Sequence, residues 1–228
     1  MTDPRIARGM AAQLARRAGL VAAGHAPVGW KIGLNVPAVQ RALGLDATVV
    51  GFVTLATTLV PGAPHSLAGG TRVALEAEIA IHVGAVVAPD ATPEAIHAAI
   101  VGLGAAFELV DLDRPFDDLE AILAAGVYHR AALFGPTDPG RAGGTLDGVT
   151  AVIEKNDAPA DRADAAALVD PVDTVRFVAR HLAAHGAALA PGDRILAGSL
   201  TPPVWVAPGD VVTADFGPLG PLGLEFTA

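Results

Sequence analysis

The chain has 228 residues, 52% of them hydrophobic but only 4% aromatic, with 26 glycines and 18 prolines. This composition fits one large domain or two small ones, turn-rich and with a core of Ala, Val, Leu and Ile, and it argues against disorder. A formal charge of -9 argues against a nucleic-acid partner, and zero cysteines exclude disulfides, thiolate metal sites and a cysteine nucleophile. An anionic substrate stays open, because one lysine or metal ion outweighs a diffuse field at short range.

Residues 4 to 23 read as a helix. Pro4 suits its first turn, Ile6, Met10, Leu14, Ala18 and Val21 recur at helical spacing, and Gly24 ends it. Arg5, Arg8, Arg16 and Arg17 interrupt any apolar run, so neither a signal peptide nor a membrane span is expected, and a cytoplasmic location follows by default. In Gly29-Trp30-Lys31-Ile32-Gly33, a lysine stands in an apolar context between glycines. Either it holds a carboxylate or enolate oxygen, or it snorkels with its head in water. A short helix follows over 36–43, and strands and turns over 46–64.

The stretch from Arg72 to Val83 is an apolar strand with two carboxylates placed two residues apart. Strand alternation puts Glu76 and Glu78 on one face and Leu75, Ala77 and Ile79 on the other. Adjacent carboxylates repel, so a hard cation such as Mg²⁺ or Mn²⁺ is one reading, and an acidic solvent face is the other. Thr92 and Pro93 open a helix expected to carry Ile96, Ile100 and Leu103 on one face as far as Gly104. Residues 105–111 form the next strand. Glu108 points away from its neighbours Phe107 and Leu109, and this third carboxylate strengthens the metal reading.

Residues 112–130 are polar and irregular, a loop or a short helix. Strands are expected over 131–134 and 150–155, the latter closing in an Asn156-Asp157 turn. Asp170 and Pro171 start a third helix with Val172, Val175, Val178 and Leu182 along its stripe. His181 and His185 near its end have zinc-compatible spacing, but no third ligand accompanies them, and the helix dipole alone favours His there. Two Pro-Gly-Asp turns then feed Val- and Ile-rich strands. Without sustained βαβ alternation the fold class is α+β.

Five segments occur together and in order: Gly29–Leu34, Glu76–Ala80, Ala106–Val110, Gly126–Tyr128 and Gly192–Leu200. In this the chain resembles the 2-keto-4-pentenoate hydratase and 4-oxalocrotonate decarboxylase branch of the fumarylacetoacetate hydrolase superfamily. The likeness covers residues 28–228, a single catalytic domain, and makes residues 1–27 an abbreviated N-terminal helical segment. The resemblance implies a mixed β-roll with flanking helices and Mg²⁺ or Mn²⁺ held by Glu76, Glu78 and Glu108. It implies a small 2-oxo acid substrate whose oxygens Lys31 holds or to which Lys31 assists proton transfer; Ser199 and Thr201 are further expected substrate contacts, and Tyr128 and His129 further candidate catalytic residues. It also implies a homo-oligomer and admits a complex with a pathway enzyme; no nucleic acid or membrane is involved.

Two departures bear on the chemistry. Relatives carry an Asp after the Gly-Phe pair, whereas residues 51–57 here contain no acid. They also carry Asp-Asn-Ala-Ser where Ile122-Leu123-Ala124-Ala125 stands. Tyr128, His129 and His82 are the candidates to replace those proton-handling groups, with His82 otherwise expected to be a strand histidine facing solvent. The implied activity is hydration of a 2-hydroxypenta-2,4-dienoate-type acid from aromatic-compound breakdown. The alternatives are decarboxylation of a 4-oxalocrotonate-like diacid, C–C hydrolysis of an acylpyruvate, and binding of a ligand or a partner subunit without turnover.

Overall fold

In a computed structural model, which describes residues 3–46 and 48–228, helix α1 (Pro4–Ala22) begins where the Asp3 carboxylate accepts from the Arg5 N–H. It is followed by β1 (Pro27–Gly33), α2 (Pro37–Leu43), β2 (Val49–Thr54) and the short β3 (His65–Ser66). Next come the long β4 (Val73–Val83), α3 (Pro93–Ala99), the long β5 (Ile100–Asp111), α4 (Leu119–Ala124) and β6 (His129–Phe134). The remainder is β7 (Thr150–Lys155), β8 (Ala158–Asp164), α5 (Pro171–Ala184), β9 (Arg194–Leu196), β10 (Val204–Trp205), β11 (Val211–Asp215) and β12 (Pro221–Thr227).

These strands make two sheets. The larger runs β2-β1-β9-β4-β5-β6 with β10 added alongside β4, and the smaller runs β3-β12-β11-β7-β8. The larger sheet is mixed, since β9 lies parallel to β1 but antiparallel to β4. The parallel seam is tight: a Cβ at Gly29, where φ is 151°, would sit 1.9 Å from the Arg194 carbonyl oxygen. The architecture is therefore α+β, mixed sheets with flanking helices.

One face of β4 and β5 supplies the main core. Leu75, Ile79 and Ile81 meet Phe107, Leu109 and Leu103 there, and the smaller sheet adds Phe216 and Phe226. The α5 stripe of Val175, Val178 and Leu182 closes this core, each side chain worth about 1.5–3 kcal/mol on full burial. The opposite face of β4 and β5 carries the acids. Helix α1 lies over β2 and α4, with buried Gln13 donating from Nε2 to the carbonyls of Val50 and Leu123.

The expected helix over 92–104 is corrected. Helix α3 stops at Ala99, and Ile100 and Leu103 belong to β5, where they pair with Val83 and Ile81 of β4. Their spacing satisfies a helical face, but backbone pairing along nearly all of β4 outweighs one further helical turn. The short helix left open for residues 112–130 is α4, and Asn156 and Asp157 turn with positive φ.

Candidate active site

The acids of β4 and β5 meet because of register. Glu76 is paired directly with Glu108 in the antiparallel ladder, so their side chains emerge from the same face. Glu78 lies two residues along β4 and shares that face, while Ala77, Phe107 and Leu109 go to the core. Lys31 stands on β1 opposite Gly51, where a Cβ would meet the Lys31 Cγ at 3.1 Å and the Gly126 carbonyl at 2.8 Å. Its ammonium reaches Glu108 Oε1 at 3.0 Å with the side chain 3% exposed, which rules out snorkelling into water.

Glu108 is held on one oxygen only. Oε1 accepts from Lys31 and from His129 Nδ1 at 2.7 Å, and His129 Nε2 lies 3.0 Å from the Thr57 hydroxyl. An ionised Glu108 only accepts, so Nδ1 carries the proton of that contact, and the Thr57 hydroxyl beside Nε2 donates to the Thr54 carbonyl at 3.2 Å. Glu78 Oε2 accepts from the Gly198 N–H at 2.8 Å. That leaves Glu78 Oε1 and Glu108 Oε2 buried without a hydrogen-bond partner. One oxygen from each of Glu76, Glu78 and Glu108 falls within 4.8 Å of the others.

The charges strain against one another. Burial, then the charge of Glu108, pushes Glu76 up to about 7 against the pull of Lys31. Burial and the charges of Glu108 and Glu76 carry Glu78 well above the carboxylate range. Burial also acts to raise Glu108, but the Lys31 charge and the His129 hydrogen bond outweigh it and hold that carboxyl low. Burial opposes the charge on Lys31, yet Glu108, Glu76 and Glu78 together raise its pKa. Three carboxylates against one ammonium leave two excess negative charges when all are ionised. An all-oxygen donor set with two orphaned oxygens and that charge fits a hard divalent cation.

Glu76, the least buried of the three, and Lys31 both open onto a cavity of about 240 Å³. Its walls include Val110, Leu112, Phe116, Val127, Tyr128 and Trp205. Tyr128 donates to the Arg114 carbonyl at 3.3 Å, and burial pushes its phenol up, so it stays protonated. Gly126, Val127 and Tyr128 all have positive φ, a left-handed turn that is costly for β-branched Val127 and aims both side chains at the cavity. Ser199 lines the cavity and donates to the Thr201 carbonyl at 2.6 Å.

Not every expected residue reaches the cavity. Thr201 is buried off its wall, with a hydroxyl that has no partner. His129 lies beside Glu108 rather than on the wall. His82 is corrected: it is 9% exposed instead of facing solvent, its ring meets the Thr137 hydroxyl, and burial lowers it to about 4. Ile122 and Leu123, in place of the polar stretch, pack under α1. His181 and His185 line a separate cavity of about 540 Å³, and among the described residues no third ligand joins them. Sequence reasoning missed Thr57, Phe116 and Trp205, whose only signal was proximity to recognised segments.

The description "Fumarylacetoacetate (FAA) hydrolase C-terminal" matches residues 30–226. A 2-keto-4-pentenoate hydratase of Paraburkholderia xenovorans (strain LB400) is 31% identical over 216 residues, covering 90% of this chain and 78% of that one. A 4-oxalocrotonate decarboxylase of Pseudomonas putida is 27% identical over 207 residues, covering 89% and 78%. The solved 4-oxalocrotonate decarboxylase from Pseudomonas putida G7, complexed with magnesium and adipate, superposes with a TM-score of 0.84 at 26% identity, covering 94% of this chain and 83% of that one. The relatives so named are hydratases and decarboxylases, and the chain belongs to the fumarylacetoacetate hydrolase family.

Proposed function

We propose that the protein is a divalent-metal-dependent lyase that hydrates a small unsaturated 2-oxo acid of the 2-hydroxypenta-2,4-dienoate type. The observation that carries this is the set of orphaned carboxylate oxygens of Glu78 and Glu108 beside Glu76 and Lys31, the last two lining the cavity. Glu76, Glu78 and Glu108 are the residues that would hold Mg²⁺ or Mn²⁺. When bound, such an ion supplies electrophilic stabilisation of the negative charge that develops on the substrate's 2-oxo oxygen.

The remaining work falls to the chain. The Lys31 ammonium, kept charged by the three glutamates, donates to the substrate's head oxygens and orients it. The 2-hydroxydienoate ketonises by losing its hydroxyl proton and gaining one at its terminal carbon, giving a conjugated enone. Water then adds, its oxygen to the far alkene carbon and its proton to the carbon next to the ketone. Tyr128, protonated and on the cavity wall, is the group we assign to proton delivery. His129, with Thr57 behind it, is a positioning residue that occupies one Glu108 oxygen and leaves the other without a hydrogen-bond partner.

Decarboxylation of a 4-oxalocrotonate-like diacid is the second reading, favoured by the TM-score of 0.84 to that decarboxylase. The test is loss of the ultraviolet band of 2-hydroxypenta-2,4-dienoate with Mg²⁺ or Mn²⁺ present. Turnover should fall about 100-fold or more in Lys31→Ala, and in Tyr128→Phe by about 10- to 100-fold with substrate binding retained. Parent rates no higher than Lys31→Ala would sink the hydratase assignment.

A further inference from the structure

The cavity of about 540 Å³ shares no wall residue with the one beside Glu76; it lies between α5, the turn after α2 and the start of α1. His181 and His185 both line it. They stand four residues apart on one face of α5, with ring centroids 4.9 Å apart and planes tilted by 50°.

Neither imidazole serves the helix end. The last turn of α5 is closed by the backbone N–H of His185, which donates to the Leu182 carbonyl. His181 Nε2 is buried with no hydrogen-bond partner among the described residues, and an orphaned nitrogen inside a fold calls for an explanation. An imidazolium favoured by the helix dipole is not that explanation. Burial, then the neighbouring His185, lowers His181 to about 4, and burial lowers His185 as well. Near neutral pH the pair is two uncharged imidazoles, each with a ring nitrogen able to give a lone pair.

The rest of the wall accepts a cation. The charge of Arg176 is matched by Asp173 and that of Asp3 by Arg5. Arg180 donates to the Pro89 carbonyl, and the Asp46 carboxylate on the same wall offsets its charge.

We infer that His181 and His185 chelate a borderline transition-metal ion of the Zn²⁺, Ni²⁺ and Cu²⁺ class, with water completing its shell, at a second site independent of the carboxylate cluster. Two imidazoles at i and i+4 on a helix can share one ion, and nitrogen donors favour these ions over Mg²⁺ and Mn²⁺, which suit oxygen. The molecule thus sorts metals by ligand chemistry, with three carboxylates on the sheet for a hard ion and two imidazoles on α5 for a softer one.

The test is titration of the full chain with Cu²⁺ in excess Mg²⁺, which does not compete for imidazole, read by calorimetry and electron paramagnetic resonance. One Cu²⁺ per chain should bind with hyperfine coupling to nitrogen. Its affinity should fall at least about tenfold in His181→Ala and in His185→Gln. His185 is the more open of the two, so His185→Gln keeps the test readable where His181→Ala disturbs the packing beside Phe177. His25→Ala, at an exposed histidine off this cavity, should leave the affinity unchanged. Cu²⁺ binding that survives both substitutions in α5 overturns the inference, as does binding that excess Mg²⁺ or Glu108→Ala removes. Absence of a nitrogen-coupled site in the parent protein overturns it too.

Discussion

Glu76 is the residue through which the cluster senses pH. It is the most open of the three acids, and burial and Glu108 raise it to about 7 from an ordinary 4.5. Between those values the metal-free fold holds a proton there that the unfolded chain releases. A divalent cation must displace that proton, so apparent affinity falls as pH drops below about 7. Mn²⁺ affinity should rise with pH by about tenfold per unit for each proton displaced, with Glu76 and the still more deeply buried Glu78 both contributing. Calorimetry in buffers of different ionisation enthalpy would report the released proton directly. A pH-independent affinity with no proton release would contradict this account of Glu76.

The elements differ in how far sequence alone reveals them. Strand β4 was legible because its acids alternate with Leu75, Ala77 and Ile79, and only a strand separates those sets. The handover from α3 to β5 was not, because Ile96, Ile100 and Leu103 fit a helical stripe, and only pairing with β4 decides against it. Glu76, Glu78, Glu108 and Lys31 were readable as residues brought together on one sheet face, whereas Thr57 and Phe116 come near them through turns that no periodicity records. Helix α1 permits a test at this scale. A Cβ at Gly9 would sit 2.6 Å from the Leu123 Cβ on α4, whereas at Gly19 nothing lies within 4 Å. Alanine normally stabilises a helix interior by about 1 kcal/mol over glycine. Gly19→Ala should gain about 0.5–1 kcal/mol, and Gly9→Ala should instead lose about 1–3 kcal/mol by forcing α1 off α4. Equal effects in urea unfolding would show that the two helices do not approach as closely as described.

Across the whole molecule, the cluster sits inside the larger sheet, on β4 and β5, rather than on a mobile loop. Its repulsion is thus carried by the global fold, and relieving it should stabilise the whole chain. Unfolding separates Glu76 and Glu78 from Glu108, on a different strand, so the cation binds the native state far better than the unfolded one. At about 100 times its dissociation constant a ligand adds about 2.7 kcal/mol, and for a chain of this size about 1 kcal/mol moves the melting temperature about 2–4 °C. Mg²⁺ or Mn²⁺ should therefore raise the melting temperature by about 5–10 °C, reversibly on chelation. Glu108→Ala should abolish that rise whatever its own baseline, since it removes one of the three clustered carboxylates, one that carries an unpartnered oxygen, and cuts the excess negative charge beside Lys31 from two to one. A melting temperature indifferent to both ions in the parent protein would mean that Lys31 alone holds the three carboxylates together, and the metal-dependent reading would be lost.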